Sequence, residues 1–331
     1  MRSKYFFISF LLVLTACSHP NSGNEGQSVT TSQSPQPTAT AAAAASTSAP
    51  ANPSVQTTVP APTPQPSSPA SKAEAPKDSS ATLRPDHVVI VVEENHSYEK
   101  IIGNASAPYM NALAGRGAFF TQSYAVTHPS QPNYLVLFSG SNQGVKDDSC
   151  GHTFKAPNLA SELLSAGYTF GGYSEDLPSV GSTACTHKQY GRKHSPWVNF
   201  TNVPKEANMP LESFPSDYSK LPTVSFVIPN MDHDMHDGTI QSADEWLKKH
   251  MGSYIDWAQS HNSLFILTWD EDDSSKDNHI PTIFVGPMVK AAHYDQRITH
   301  SNVLRTLEDL YKLPYTGSAE DVASIQAIWK S

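Results

Sequence analysis

His87-Val88-Val89-Ile90-Val91-Val92 decides the fold class of this 331-residue chain. The run is continuously apolar and rich in β-branched residues, with no alternation of polar and apolar positions. That pattern belongs to a strand buried on both faces, as in the interior of a parallel sheet. Outward from it, strands and helices take turns. The patterning predicts a helix over 108–116 that ends at Gly117, and a strand over 118–126. A helix over 158–166 is closed by Gly167, and a strand over 168–173 follows. Further strands are expected over 223–228, 263–269 and 281–285. A long amphipathic helix over 242–260 offers Trp246, Met251, Ile255 and Trp257 to its buried face, and a last helix covers 299–313. Such alternation implies an α/β fold, doubly wound, with a mostly parallel central sheet and helices on both faces. Residues 174–222 are loop-rich and are expected to cover the site. No internal repeat is visible.

In open sheets of this kind, ligands bind beyond the carboxyl ends of the strands. Polar clusters recur there. Glu93-Glu94-Asn95-His96 follows the first strand, and Ser130 follows the second. The stretch Asn230-Met231-Asp232-His233-Asp234-Met235-His236-Asp237 follows the strand at 223–228. Asp270-Glu271-Asp272-Asp273 follows the strand at 263–269, and Asn278-His279 directly precedes the one at 281–285. One acidic strand end is ordinary, but clusters recurring along one edge are hard to explain as solvated loops. Asp232 and His236 supply a carboxylate and an imidazole within one turn, a donor set that suits several divalent metals. Four consecutive acids at 270–273 would repel strongly without a cation or protons. Asp272 and Asp273 also fit a solvated surface, and a lone His279 also fits a structural role.

The segment Thr127-His128-Pro129-Ser130-Gln131-Pro132-Asn133-Tyr134 carries the nucleophile candidate. Ser130 stands where a strand-like run gives way to a helix-like one at 134–138, with Gly140 ten residues on. A helix start favours anions, and Pro132 suits the first turn, where a missing N–H costs nothing. Ser130 reads equally as a helix cap at this point.

The chain begins with Arg2 and Lys4, a short apolar core over 5–14, and Leu14-Thr15-Ala16-Cys17. The core is too short to span a bilayer. The four residues resemble the lipobox of bacterial lipoproteins, so residues 1–17 are read as a lipoprotein signal, with Cys17 lipidated in the mature chain. The expected location is the bacterial cell envelope, at the outer membrane or cell surface, with contact to the membrane through the anchor. Residues 18–83, rich in Ser, Ala, Thr, Pro and Gln, read as a disordered tether. Residues 84–331 remain for one folded domain. The whole chain carries −9; the signal holds +2 and the tether −1, which leaves −10 on the domain and argues against a nucleic-acid partner. Cys150 and Cys185 are the remaining cysteines, and in an exported protein they most simply form one disulfide.

The order of the motifs resembles the alkaline-phosphatase superfamily. Within it, the segments 93–98 and 128–134 and Trp269-Asp270-Glu271 are similar to the phosphoesterase family of bacterial and fungal acid phosphatases and phospholipases C. The resemblance extends over 86–313 and implies an alkaline-phosphatase-like fold. It implies that Ser130 attacks phosphorus and becomes a phosphoserine. Glu94, Asn95, Asp270 and Glu271 take positions that surround a divalent metal ion of unspecified identity, with Ser130 Oγ beside it. Asp232, His236 and His279 fall where two-metal relatives hold a second ion. Those relatives have an aspartate at the first strand and Asp-His at the fourth cluster, where this chain has Glu94-Asn95 and Asp270-Glu271. With a single ion, His236 or His279 would bind phosphate and protonate the leaving oxygen. The activity implied is that of a metal-dependent phosphomonoesterase of acid-phosphatase type acting on a phosphate ester. Two alternatives are a phosphodiesterase of phospholipase C type and an inactive surface-binding lipoprotein.

Overall fold

The computed structural model describes residues 83–330, so Cys17 and the tether up to residue 82 lie outside the described residues. The apolar run forms β1 (His87–Glu93). One turn, α1 (Tyr98–Ile101), precedes α2 (Pro108–Arg116), whose proline sits at the helix start, where no N–H is needed. The strand expected over 118–126 is two short pieces, β2 (Ala118–Phe120) and β3 (Ser123–Tyr124). Then come α3 (Ser130–Ser139) and α4 (Leu159–Ser165), the latter opened by a capping box between Asn158 and Ser161. β4 (Phe170–Ser174) leads into the cover, which holds β5 (Thr186–His187), β6 (Tyr190–Gly191) and β7 (Asn208–Pro210) between 3-10 turns. β8 (Val224–Ile228), α5 (Ile240–Ala258) and β9 (Ser263–Trp269) follow. The chain continues through β10 (Thr282–Val285), β11 (Ala292–Tyr294), β12 (Ile298–Thr299) and α6 (His300–Tyr311).

Eight strands form one sheet in the order β11-β2-β10-β9-β1-β8-β4-β7. β1 lies inside it, in parallel register with both neighbours: Ile90 pairs with Phe226 on one side and Ile266 on the other. β10 runs against β9 and β2, while every other pairing in the sheet is parallel. The connection over 270–281 contains no helix, so it can return the chain only as an antiparallel neighbour. The start of β10 therefore lies at the edge where β1, β8 and β9 end.

Val88, Ile90 and Val92 pack on one face with Leu135 and Phe138 of α3, Leu163 of α4 and Leu304 and Leu307 of α6. Val89 and Val91 pack on the other face with Met110 of α2 and Trp246, Met251 and Ile255 of α5. Trp257, expected on the buried face of α5, is only partly buried and stacks on His261. All ten residues of α3 are buried. That helix ends at Gly140, whose φ of 64° is left-handed and where a Cβ would collide with the Thr316 carbonyl. A disulfide joins Cys150 to Cys185, with the two Cα atoms 5.8 Å apart.

Candidate active site

Ser130 is the first residue of α3, and its hydroxyl meets two strand ends. Its Oγ lies 3.0 Å from Glu94 Oε2 and 3.2 Å from Glu271 Oε1. The register explains the meeting. Glu93 pairs with Trp269 at the end of the β1–β9 ladder, and Asp270 N–H donates to the Glu93 carbonyl at 2.9 Å. The residues that follow each strand must then lie side by side. Asn95 has a left-handed φ of 49°, which asparagine tolerates, and its backbone N–H donates to Asp270 Oδ1 at 3.3 Å. Asn133 orients the serine from the other side. Its side chain accepts the N–H groups of Val126 and Thr127 and donates to the carbonyls of Thr127 and Pro129. The loop before Ser130, with its cis His128–Pro129 bond, is thus tied to the helix it precedes.

The cover supplies a third component. His194, buried and stacked on Tyr134, has Nε2 2.9 Å from Glu94 Oε1 and Nδ1 3.2 Å from Asp234 Oδ2. Asp234 itself follows β8, and the N–H of Glu94 donates to its carbonyl. Next to His194, Lys193 Nζ lies 2.9 Å from His236 Nε2, and His236 Nδ1 lies 2.7 Å from Asp237. On the β9 side, His128 Nδ1 sits 2.5 Å from Glu271 Oε2 and its Nε2 3.3 Å from Asp272 Oδ1.

Burial opposes charge on all these groups, and neighbours decide the outcome. Glu94 would be pushed up by burial, but the charge of His194 brings it down to about 2. His194 would be pushed down by burial, yet Glu94 and Asp234 raise it to about 9, so this pair is ionic. Asp234 is raised to about 6, chiefly by burial. Asp270 is held well above the carboxylate range by burial and by Glu94, and Glu271 is also raised by burial, though His128 pulls against it. One imidazolium cannot offset four acids at this point. Asp270 Oδ2 is buried with no hydrogen-bond partner among the described residues, while Glu94 Oε1 and Asp234 Oδ2 are buried against His194. Ligand atoms of Glu94, His194 and Asp234 lie within 4.8 Å of one another. Buried carboxylate oxygens beside a hydroxyl, one of them unpaired, suit a divalent cation.

The structure brings Ser130, Glu94, Asn95, Asp270 and Glu271 together, with His236 at the cover side. It does not bring Asp232 or His279. The stretch 230–237 is a tight turn rather than a helical one, with Asn230 Oδ1 accepting the N–H groups of Asp232 and His233 and Met235 at φ 78°. Asp232 therefore faces Gln189, whose Nε2 donates to it at 2.9 Å, and Asp234 is the residue turned inward. His279 is stacked between Tyr98 and Tyr124, with Nε2 at 3.0 Å from the Thr121 carbonyl and Nδ1 at 3.2 Å from Glu99. Both its ring nitrogens have partners other than the residues around Ser130. His194, Asp234 and His128 were missed by sequence reasoning. Asp234 and His128 lay inside stretches already singled out. His194, from the loop-rich cover, had no periodicity to mark it.

The Phosphoesterase family profile matches residues 104–314. A phosphatidylinositol-3-phosphatase of Mycobacterium tuberculosis is 55% identical over 246 residues, covering 73% of this chain and 82% of that protein. A probable acid phosphatase of Kluyveromyces lactis is 30% identical over 260 residues, covering 72% of this chain and 61% of the yeast protein. Among solved structures, the lipoteichoic acid synthase LtaP of Listeria monocytogenes superposes with a TM-score of 0.51 at 11% identity, over 70% of this chain and 73% of that one. That last likeness concerns the fold alone.

Proposed function

The chain belongs to the phosphoesterase family and is a phosphoric-ester hydrolase, and we propose that it is a metal-dependent phosphomonoesterase of acid-phosphatase type working through a phosphoserine at Ser130. The observation that carries this reading is the serine hydroxyl at the start of a buried helix, set between Glu94 and Glu271. A serine hydroxyl is a weak nucleophile unless a base or a metal takes up its proton or charge. Glu271 is the base in this reading: its Oε1 lies 3.2 Å from Ser130 Oγ, burial raises its pKa, and His128 holds it. Ser130 Oγ bonds to phosphorus as its proton passes to Glu271. The bond from phosphorus to the leaving oxygen breaks, and that oxygen takes a proton from water. Water then attacks the phosphoserine and releases phosphate, with the hydroxyl of Ser130 restored. A divalent cation held by Glu94, Asn95 and Asp270 would supply charge neutralisation at the phosphate and the serine oxygen. His194 and Asp234 hold Glu94 in place from behind.

The relatives named above are a phosphatidylinositol-3-phosphatase and an acid phosphatase, both monoesterases by name. This supports a monoester over a diester substrate. We also infer that the chain is exported and anchored through Cys17, on the strength of the lipobox and tether. Acid-quenched wild-type protein turning over a phosphomonoester should carry phosphate on the peptide containing Ser130. Ser130→Ala should fold and lose several kcal/mol of transition-state stabilisation, read as kcat/KM. A variant retaining more than about a tenth of the wild-type rate has lost under ~1.4 kcal/mol, and the nucleophile would lie elsewhere. Chelation followed by metal add-back, on a monoester beside a diester, separates the activity classes.

A further inference from the structure

Lys193 stands in the cover and Asp148 in the loop between α3 and α4, and the chemistry above uses neither. Asp148 Oδ1 accepts the N–H of Gln131 at 2.9 Å, the residue directly after the nucleophile. Its other oxygen lies 3.1 Å from Lys193 Nζ, which also reaches His236 Nε2 at 2.9 Å. Lys193 is mostly buried, with a side-chain exposure of 16%, against 30% for Asp148. One side-chain carboxylate thus bridges a backbone N–H and an ammonium beside the serine hydroxyl. Those two donors suit a phosphate at least as well as a carboxylate, since each would form a charge-assisted hydrogen bond to a phosphoryl oxygen. The two segments are joined covalently. Cys150, two residues after Asp148, is bonded to Cys185, whose carbonyl accepts the N–H of Arg192, the neighbour of Lys193.

We propose that Lys193 holds the substrate phosphate over Ser130, and that Asp148 occupies the phosphate's place until substrate displaces it. The inference rests on chemistry at Ser130. On displacement, Lys193 transfers its contact from Asp148 to a phosphoryl oxygen, and Gln131 N–H does the same. Asp148 then competes with every anion that enters, and its removal tightens binding. The Lys193 side chain does the opposite.

The test is calorimetric binding of inorganic phosphate to full-length, metal-loaded protein in a Ser130→Ala background, where turnover plays no part. Lys193→Gln should weaken phosphate binding about tenfold or more, the scale of a hydrogen bond to a charged group, and Lys193→Arg should recover part of it. Asp148→Asn should tighten phosphate binding severalfold. With Ser130 intact, Lys193→Gln should raise KM by more than it lowers kcat. If phosphate binds the Lys193→Gln variant as tightly as its parent, or binds Asp148→Asn more weakly, the proposal falls. A purely structural ion pair would lower the melting temperature in both variants and leave phosphate affinity unchanged, which also overturns it. Should Lys193→Gln not fold, the sign of the Asp148→Asn effect decides alone. Phosphoserine trapping tests Ser130 separately, so the two readings fail independently.

Discussion

Ser130 Oγ has one proton and two carboxylate acceptors, Glu94 and Glu271, and the cap position of its helix is held by Pro129, so its hydroxyl faces acids rather than capping the helix. Asp270 is the acid behind them, buried, with Oδ2 undonated, whereas Asp273 stands three residues out and pairs with Lys100 near the surface. The two should respond differently to amide substitution. Asp270→Asn is expected to lower metal affinity and kcat together, by orders of magnitude in rate. Asp273→Asn breaks a partly exposed pair and should cost no more than about 1 kcal/mol of stability, with activity intact. Metal titration and steady-state rates of both variants decide this, and equal losses from the two would misassign the ligand.

At the scale of one element, α6 carries two buried titrating groups with opposite slopes. Glu308 accepts the N–H and hydroxyl of Thr316 through Oε1, while Oε2 has no hydrogen-bond partner among the described residues. Burial raises its carboxyl to about 7 from 4.5. The unfolded chain releases that proton near 4.5 and the folded chain near 7, so stability from this group falls as pH rises across that window. His300 bonds the Trp269 carbonyl through Nε2, and burial lowers it to about 4 from 6.5. The unfolded chain takes that proton first on acidification, so stability from His300 falls as pH drops from 6.5 to 4. Between about 4.5 and 6.5 the two slopes offset each other. Glu308→Gln removes one of them. Its stability relative to wild type should rise with pH between 4.5 and 7, by roughly 1–3 kcal/mol in total, as measured by urea unfolding at several pH values. A difference that does not vary with pH would show that Glu308 ionises normally in the folded protein.

Across the whole molecule, the anchor and the catalytic domain are separate in sequence, so they should be separable in experiment. Cys17→Ser is expected to shift the protein from the membrane fraction to the soluble one at unchanged kcat/KM, and continued membrane association would rule out the lipid anchor. The strands were legible where burial is two-sided: residues 88–92 and 263–269 are buried throughout, so composition alone marks them. The same runs located the edge at which Glu94, Asp270 and Glu271 gather, because whatever follows a parallel strand must emerge there. Ser130 was legible from its place at a strand-to-helix change. The direction of β10 was not, since local sequence encodes a strand but not the sense in which it pairs. Nor was the choice of Asp234 over Asp232, which depends on the turn that Asn230 caps and on the left-handed backbone at Met235. His194 and Lys193 come from a loop whose position depends on the disulfide and on packing against α3. The sequence by itself determined which segments are buried and at which strand ends the acidic clusters sit, because hydrophobic patterning and the order of elements along the chain are local properties. Only the tertiary structure decided which histidine and which aspartate meet Glu94, because that depends on how loops far apart in the chain pack against one another.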